Sequence, residues 1–240
     1  MAPRQQTVSG DPALLAFDTA GETMTIAVAN AGRVRSLSGV GGARASSTLI
    51  ASIFGLLDEA GLPLRDLDAI AFGRGPGAFT GLRTACSVAQ GLAFGAAKPV
   101  LPIDSLLVVA EGARGGAPEF RVWVTIDARM DQIYAAEYVY AGGRWATLHA
   151  PMLGDCAQLA ARWRGAPAQV VAGNAIRAFA RRLETGTAIA LPDASASAAA
   201  LLALAAQAWR DGAGVDAAQA LPLYVRDKVA ETTLEREAKR

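Results

Sequence analysis

Two carboxylates and a run of glycines are the residues of this chain that are equipped for chemistry. Asp18 ends the apolar run Leu14–Phe17, and Asp127 ends Val122–Ile126 in the same way. Between them the string Gly73-Arg74-Gly75-Pro76-Gly77-Ala78-Phe79-Thr80-Gly81-Leu82-Arg83 follows the run Leu67–Phe72 and precedes the small, apolar stretch Thr84–Gly95. This order predicts a strand, a glycine-rich turn and a helix. Gly73, Gly75 and Gly77 are expected at positions of positive φ or close approach, and Pro76 to hold the loop in one shape. Thr80 is expected to cap the helix. A helix start offers free N–H groups and a positive dipole end, which suits an anion or a partner carboxylate. The string lacks the lysine and hydroxyl ending of a phosphate-cradling loop, and its spacing is not that of a dinucleotide fingerprint. On the residues alone, a loop that merely turns the chain stays open beside an anion site.

Much other chemistry is excluded. His149 is the sole histidine, so no two-histidine metal site exists within the chain. A Ser-His-Asp arrangement would have to use it, and its place before Ala150 and Pro151 reads as a surface position at a strand end. Cys86 and Cys156 lack zinc-ligand spacing and suggest no disulfide framework. No metal is expected. Twenty-three basic residues oppose 22 acidic ones, a formal charge of +1, so a strongly basic surface for nucleic acid is not evident. No apolar run is long enough to span a membrane, and MAPRQQTVSGDP carries no signal-peptide core, so a cytoplasmic protein is expected.

These residues need a scaffold, and the chain describes one twice. Leu14–Thr19, Met24–Ala29 and Val34–Ser38 read as three short strands, with a turn at Asn30–Arg33. Val122–Asp127, Ile133–Tyr140 and Trp145–His149 repeat the plan, with a turn at Ala141–Arg144. Asp18 and Asp127 fall at equivalent places. Helical patterns then alternate with strands, which argues for α/β domains with partly parallel sheets. The boundary is expected within Gly112–Glu119. That gives a half over residues 1–112, a second over 113–225, and a charged tail over 226–240 that is expected to be disordered or ordered by a partner.

The segment GRGPGAFTGLRTACSVAQGLAFG resembles the signature of the TsaB (YeaZ) family. LLAFDTAGETMTIAVANAGRV, KPVLPIDSL, VTIDARMDQIYAAEY and PLYVRDKVA match in the family's order, from about Leu14 to about Ala230. The resemblance implies a duplicated actin-like ATPase fold of two similar halves, related to ribonuclease H. It implies a bacterial partner of TsaD in forming N6-threonylcarbamoyladenosine at position 37 of tRNAs reading ANN codons. TsaD would carry the transfer and the ATPase TsaE would dock on the complex. tRNA would be met only through the complex. ATP or ADP would sit at a shared interface rather than in the isolated chain.

In active members of this fold an acid and a glycine turn in each half face a nucleotide. Asp18-Thr19-Ala20-Gly21 keeps the first. Asp127 is followed by Ala128-Arg129-Met130-Asp131, without a glycine, and Arg129 and Met130 would crowd a phosphate cradle. The two acids are therefore expected to cap turns as vestiges of a phosphate site. TsaD carries a metal-binding histidine pair, and matching the strand Pro99–Ile103 puts those positions at Ser105 and Val109. The chain thus reads as a relative that kept the fold without the chemistry. A catalytically active kinase or peptidase of the actin-like group is the alternative.

A binding surface is expected instead. After the glycine loop, Leu82, Cys86, Val88, Ala89 and Leu92 share one helical side. Thr84, Ser87, Gly91 and Gly95 form a small-residue stripe flanked by Arg83, Gln90 and Phe94. In an earlier helix, about Arg44–Ala60, Ile50 and Phe54 widen the arc of Leu49, Ile53, Leu56 and Leu57. Periodicity alone leaves that arc open as core or interface. The resemblance implies that these two helices pair with TsaD or with a second copy.

Overall fold

The computed structural model describes residues 11–226. The charged tail expected over 226–240 therefore lies, beyond Arg226, outside the described residues. The first half contains β1 (Leu14–Asp18), β2 (Thr23–Asn30), β3 (Arg33–Val40), β4 (Ala69–Gly75) and β5 (Val100–Asp104), in spatial order β3-β2-β1-β4-β5. The second contains β6 (Phe120–Asp127), β7 (Ile133–Ala141), β8 (Arg144–Gly154), β9 (Val170–Ala172) and β10 (Ile189–Leu191), in the order β8-β7-β6-β9-β10. The two orders are the same scheme. Each sheet has an antiparallel three-strand meander and adds two parallel strands beside the first. This is the duplicated α/β plan, two halves of like topology, expected from the sequence.

Among the described residues six helices cover the sheets: α1 (Leu49–Glu59), α2 (Phe79–Ala96), α3 (Ser105–Arg114), α4 (Cys156–Gly165), α5 (Ala175–Ala178) and α6 (Ala198–Arg210). The central strand β1 is buried on both faces, so it reads as an unbroken apolar run. Its large residues Leu15 and Phe17, with Ile70 and Phe72 of β4, face α1 and α2. On the other face the two strands are mostly small, with Ala16 of β1 and Ala69 and Ala71 of β4, and the alanine-rich α6 packs there. Small residues on both surfaces let a helix lie close to a sheet. On the second sheet, α3 covers one face and α4 and α5 the other.

Four expectations need correction. Residues 42–47 form a 3-10 turn, and α1 starts only at Leu49. The Gly42 N–H donates to the Thr19 carbonyl, which ties this turn to β1 rather than to the helix. Strand β8 runs past Pro151 to Gly154 instead of stopping at His149. It is an edge strand, where a missing N–H is tolerated. Thr80 does not cap α2: the cap residue is Ala78, and no side chain bonds there. Finally, packing does not follow the 112/113 division. Helix α6 lies on the first sheet, Val215 bridges Val100, and Ala220 packs into the first core. Sequence order hid this, because those contacts join positions over a hundred residues apart.

Candidate functional site

A cleft of about 1140 Å³ lies between the halves, lined from both. On the first wall Asp18 is only 3 % exposed. One carboxylate oxygen accepts from the Ala20 N–H at 2.6 Å and the other from the Ser105 hydroxyl at 2.7 Å. Burial pushes its pKa up from the usual carboxylate value, against the two hydrogen bonds, which pull it down. The glycine loop closes directly over it. A Cβ on Gly73 would stand 2.1 Å from the carboxylate, and one on Gly77 would stand 2.5 Å from the Ala20 carbonyl. A Cβ on Gly81, inside α2, would stand 2.1 Å from the Thr19 carbonyl. Of the three loop glycines only Gly75 has positive φ, +108°, and it precedes a cis bond to Pro76. Close approach, more than turn geometry, selects glycine here. Arg74 pairs with Asp104, and the Gly75 N–H donates to Ser105 Oγ at 3.2 Å.

The opposite wall is built on the same plan with different materials. Asp127 Oδ1 accepts from the Arg129 N–H at 2.8 Å, two residues on, as Asp18 does from Ala20. Both acids thus cap turns. Arg129, Met130 and Asp131 all take left-handed backbone, with φ of 62°, 53° and 61°. Such a run costs L-residues energy and presents side chains where glycine would leave bare amides. The Arg129 guanidinium pairs with Asp127 and reaches across to Glu22 of the first half. Asn174 Oδ1 accepts from the Asp127 N–H at 2.9 Å.

Ser105 and Val109, the positions matched to a histidine pair, face this cleft from α3. They hold an engaged hydroxyl and an apolar side chain. Among the described residues no group of three or more His, Cys, Asp or Glu gathers. His149 is not at a strand end. It lies within β8, stacked on Trp123 at 5.1 Å, with Nδ1 2.7 Å from a Glu137 oxygen. Glu137 is buried and also accepts from Arg121 at 2.8 Å, so the cluster satisfies itself. Cys86 is buried and Cys156 half-buried; burial raises both thiols.

The second candidate is the outer face of α1 and α2. Leu49, Ile53, Leu56 and Leu57 of α1 are core, as are Leu82, Cys86 and Ala89 of α2. Ile50, Phe54 and Phe94 are not: they are 51 %, 42 % and 84 % exposed. Ser87, Gly91 and Gly95 are exposed or half-buried, as is Thr84. A Cβ on Gly91 or Gly95 would meet nothing within 4 Å. The small-residue stripe therefore faces outward. The flanking residues Arg83 and Gln90 are engaged with a later segment of the chain. Arg83 stacks over Phe79 at 3.9 Å and donates to the Tyr224 hydroxyl at 3.1 Å, and Gln90 Nε2 donates to the Ala220 carbonyl at 2.9 Å. Sequence reading gave no role to Gly81 or Asn174, and it took residues 222–226, within PLYVRDKVA, as a family match without contacts to α2 or the cleft. A glycine inside a helical pattern was a usable signal for Gly81; nothing local marked Asn174.

The family model described as TsaD, tRNA N6-adenosine threonylcarbamoyltransferase, matches residues 42–235. The TsaB protein of Escherichia coli is 32 % identical over 228 residues, covering 90 % of this chain and 96 % of that protein. The TsaB protein of Haemophilus influenzae is 39 % identical over 126 residues, 52 % of this chain and 53 % of that one. Two solved Pseudomonas aeruginosa structures share the fold. One is an uncharacterized protein with similarity to peptidase YeaZ, with a TM-score of 0.80 and 40 % identity over 90 % of this chain and 100 % of that one. The other is YeaZ, with a TM-score of 0.79 and 38 % identity over 89 % and 99 %. Among the described residues no helix is long and apolar enough to cross a membrane.

Proposed function

The chain belongs to the TsaB family of tRNA threonylcarbamoyladenosine biosynthesis proteins, and from that premise we propose that it is the non-catalytic partner of a TsaD transferase, which it grips with α1 and α2. The observation that carries the reading is the outward face of those helices. Ile50 and Phe54 of α1 and Phe94 of α2 stand exposed, and nothing within 4 Å would meet a Cβ added at Gly91 or Gly95. Large apolar side chains beside bare glycines suit a close helix-on-helix contact. The cleft supports the non-catalytic half of the reading. Asp18 is sealed under the glycine loop with both oxygens engaged, and the second turn offers Arg129 and Met130 where a phosphate would need bare amides. A homodimer would use the same helices, in competition with TsaD. TsaE would dock on the pair, ATP or ADP would sit at a shared interface, and tRNA would reach the complex rather than this chain alone. A cytoplasmic location follows from that role.

Mixing the chain with TsaD of the same organism and measuring complex mass tests the reading, with Gly91→Arg as the probe. The space around Gly91 is open, so the variant folds, as circular dichroism will record. Its affinity for TsaD falls by about 100-fold or more, because an unpaired charge in a dry contact costs on the order of 3 kcal/mol. Normal co-elution of folded Gly91→Arg with TsaD would remove the interface. Sustained ATP hydrolysis by the isolated chain with magnesium would favour the kinase alternative instead.

A further inference from the structure

After α6 the chain returns along α2. A short 3-10 turn, Ala217–Gln219, leads into Ala220–Arg226, which has no regular secondary structure. Three sets of contacts hold this segment. At its start the Ala220 carbonyl accepts from Cys86 Sγ at 3.2 Å and from Gln90 Nε2 at 2.9 Å. In its middle the Leu223 N–H donates to the Arg74 carbonyl at 2.7 Å, and the Leu223 carbonyl lies 3.0 Å from where a Cβ on Gly75 would stand. The Tyr224 ring meets Phe79 at 5.5 Å, and its hydroxyl accepts from Arg83. At its end Arg226 crosses the cleft. Its guanidinium donates to the Ala128 carbonyl at 2.8 Å and lies 3.0 Å from Met130 Sδ.

This one segment thus connects the outward side of α2, the glycine loop and the left-handed turn of the second half. We propose that Ala220–Arg226 is a strap through which a partner seated on α2 sets the position of the Ala128–Met130 turn, and with it the opening of the cleft. The proposal rests on the reading of α2 as the partner surface. Arg83 and Gln90 flank the small-residue stripe, so a partner helix lying on Gly91 must meet the side chains that hold the strap. Two states follow: with the strap seated, as in this structure, Arg226 on the Ala128 carbonyl and Arg129 on Glu22 both hold the turn, and with it released only Arg129 does. A ligand that prefers one state shifts the other site by the same factor.

Amide hydrogen exchange on the full chain reads this directly. The turn's own bonds, Ala128 N–H to Gln132 and Gln132 N–H to Arg129, report its opening. Arg226→Met removes the far anchor of a half-exposed residue and raises exchange at those two amides by about fivefold, the worth of one hydrogen bond. Tyr224→Ala, at the near anchor, raises it by a similar factor. Adding TsaD to the wild type changes exchange at the same amides by about threefold or more. In Arg226→Met, TsaD still co-elutes and that response is lost. Three results overturn the strap: unchanged exchange in both variants, TsaD binding that leaves the wild-type turn unaltered, or an equal response in Arg226→Met. Failure of TsaD to bind the wild type is a separate outcome; it overturns the interface reading and the coupling built on it.

Discussion

Both acids line the cleft, but in the first half the acid that ends β1 is buried against a glycine loop, and in the second the acid that ends β6 is half-buried. Both make the same local bond, to an amide two residues on. What differs is the segment that comes back over them. The first half returns through Gly73, Gly75 and Gly77 into the 18-residue α2, with Gly81 pressed on Thr19. The second returns through Gly173 and Asn174 into α5, a helix of four residues. Glycine lets two backbones touch, and that contact both buries the acid and projects a long helix whose far side is free. The half whose acid is buried is the half with the long helix and its open outer side.

The largest effect tests the contacts that make the two halves close. Gly81→Ala places a methyl 2.1 Å from the Thr19 carbonyl, and Gly173→Ala places one 2.2 Å from the Thr125 carbonyl, at a φ of +118° besides. Neither obstacle is a movable side-chain tip. Each substitution is expected to cost about 3 kcal/mol or more in urea unfolding, at the upper end for overpacking. A Gly81→Ala protein within about 1 kcal/mol of wild type would show that the first half is not sealed by backbone contact.

Asp18→Asn sharpens the comparison at intermediate size. The folded pKa of Asp18 is raised, so the native state holds its proton to higher pH than the unfolded state. Stability from this group is therefore present below the ordinary carboxylate pKa and is lost as pH climbs through the raised value. Relative to Asp18→Asn, the wild type should lose stability as pH rises from about 4. At neutral pH the variant should unfold within about 1 kcal/mol of wild type, since asparagine still accepts from the Ala20 N–H. Modification of tRNA by the complex should persist. A folded variant that binds TsaD yet abolishes modification would return Asp18 to chemistry, and parallel pH profiles would remove the burial argument.

The smallest effect lies in the second half. Met130→Gly relieves one left-handed residue, at φ 53°, in an exposed turn. Glycine's greater freedom when unfolded offsets part of the relief, so the change should lie between zero and a gain of about 1 kcal/mol. A loss of more than about 1 kcal/mol would mean that the Met130 contact with Arg226 outweighs the strain.

Much of the architecture was legible because it is local. The apolar run of β1, the alternation of β2 and the repeat of both in β6 and β7 lie within a few residues of one another. Exposure was half legible. Helical periodicity grouped the apolar residues of α1 into one wide arc without saying where the core ends, and the structure divides that arc between buried Ile53 and exposed Ile50 and Phe54. Thr80 misled because a hydroxyl near a helix start is a local signal, while the actual start at Ala78 follows from its N–H bonding to Ala20, far away in the chain.

Sequence by itself determined the duplicated strand plan, the two acids at strand ends, the missing glycine after Asp127 and the lack of a histidine pair. These depend on residue identity and near-neighbour spacing, which the chain states outright. Only the tertiary structure decided that Asp18 is sealed, that Gly91 faces outward, that α6 crosses to the first sheet and that Arg226 reaches Ala128. Those outcomes rest on which backbones come within van der Waals distance, and pairs such as Gly81 with Thr19 or Arg226 with Ala128 are 62 and 98 residues apart.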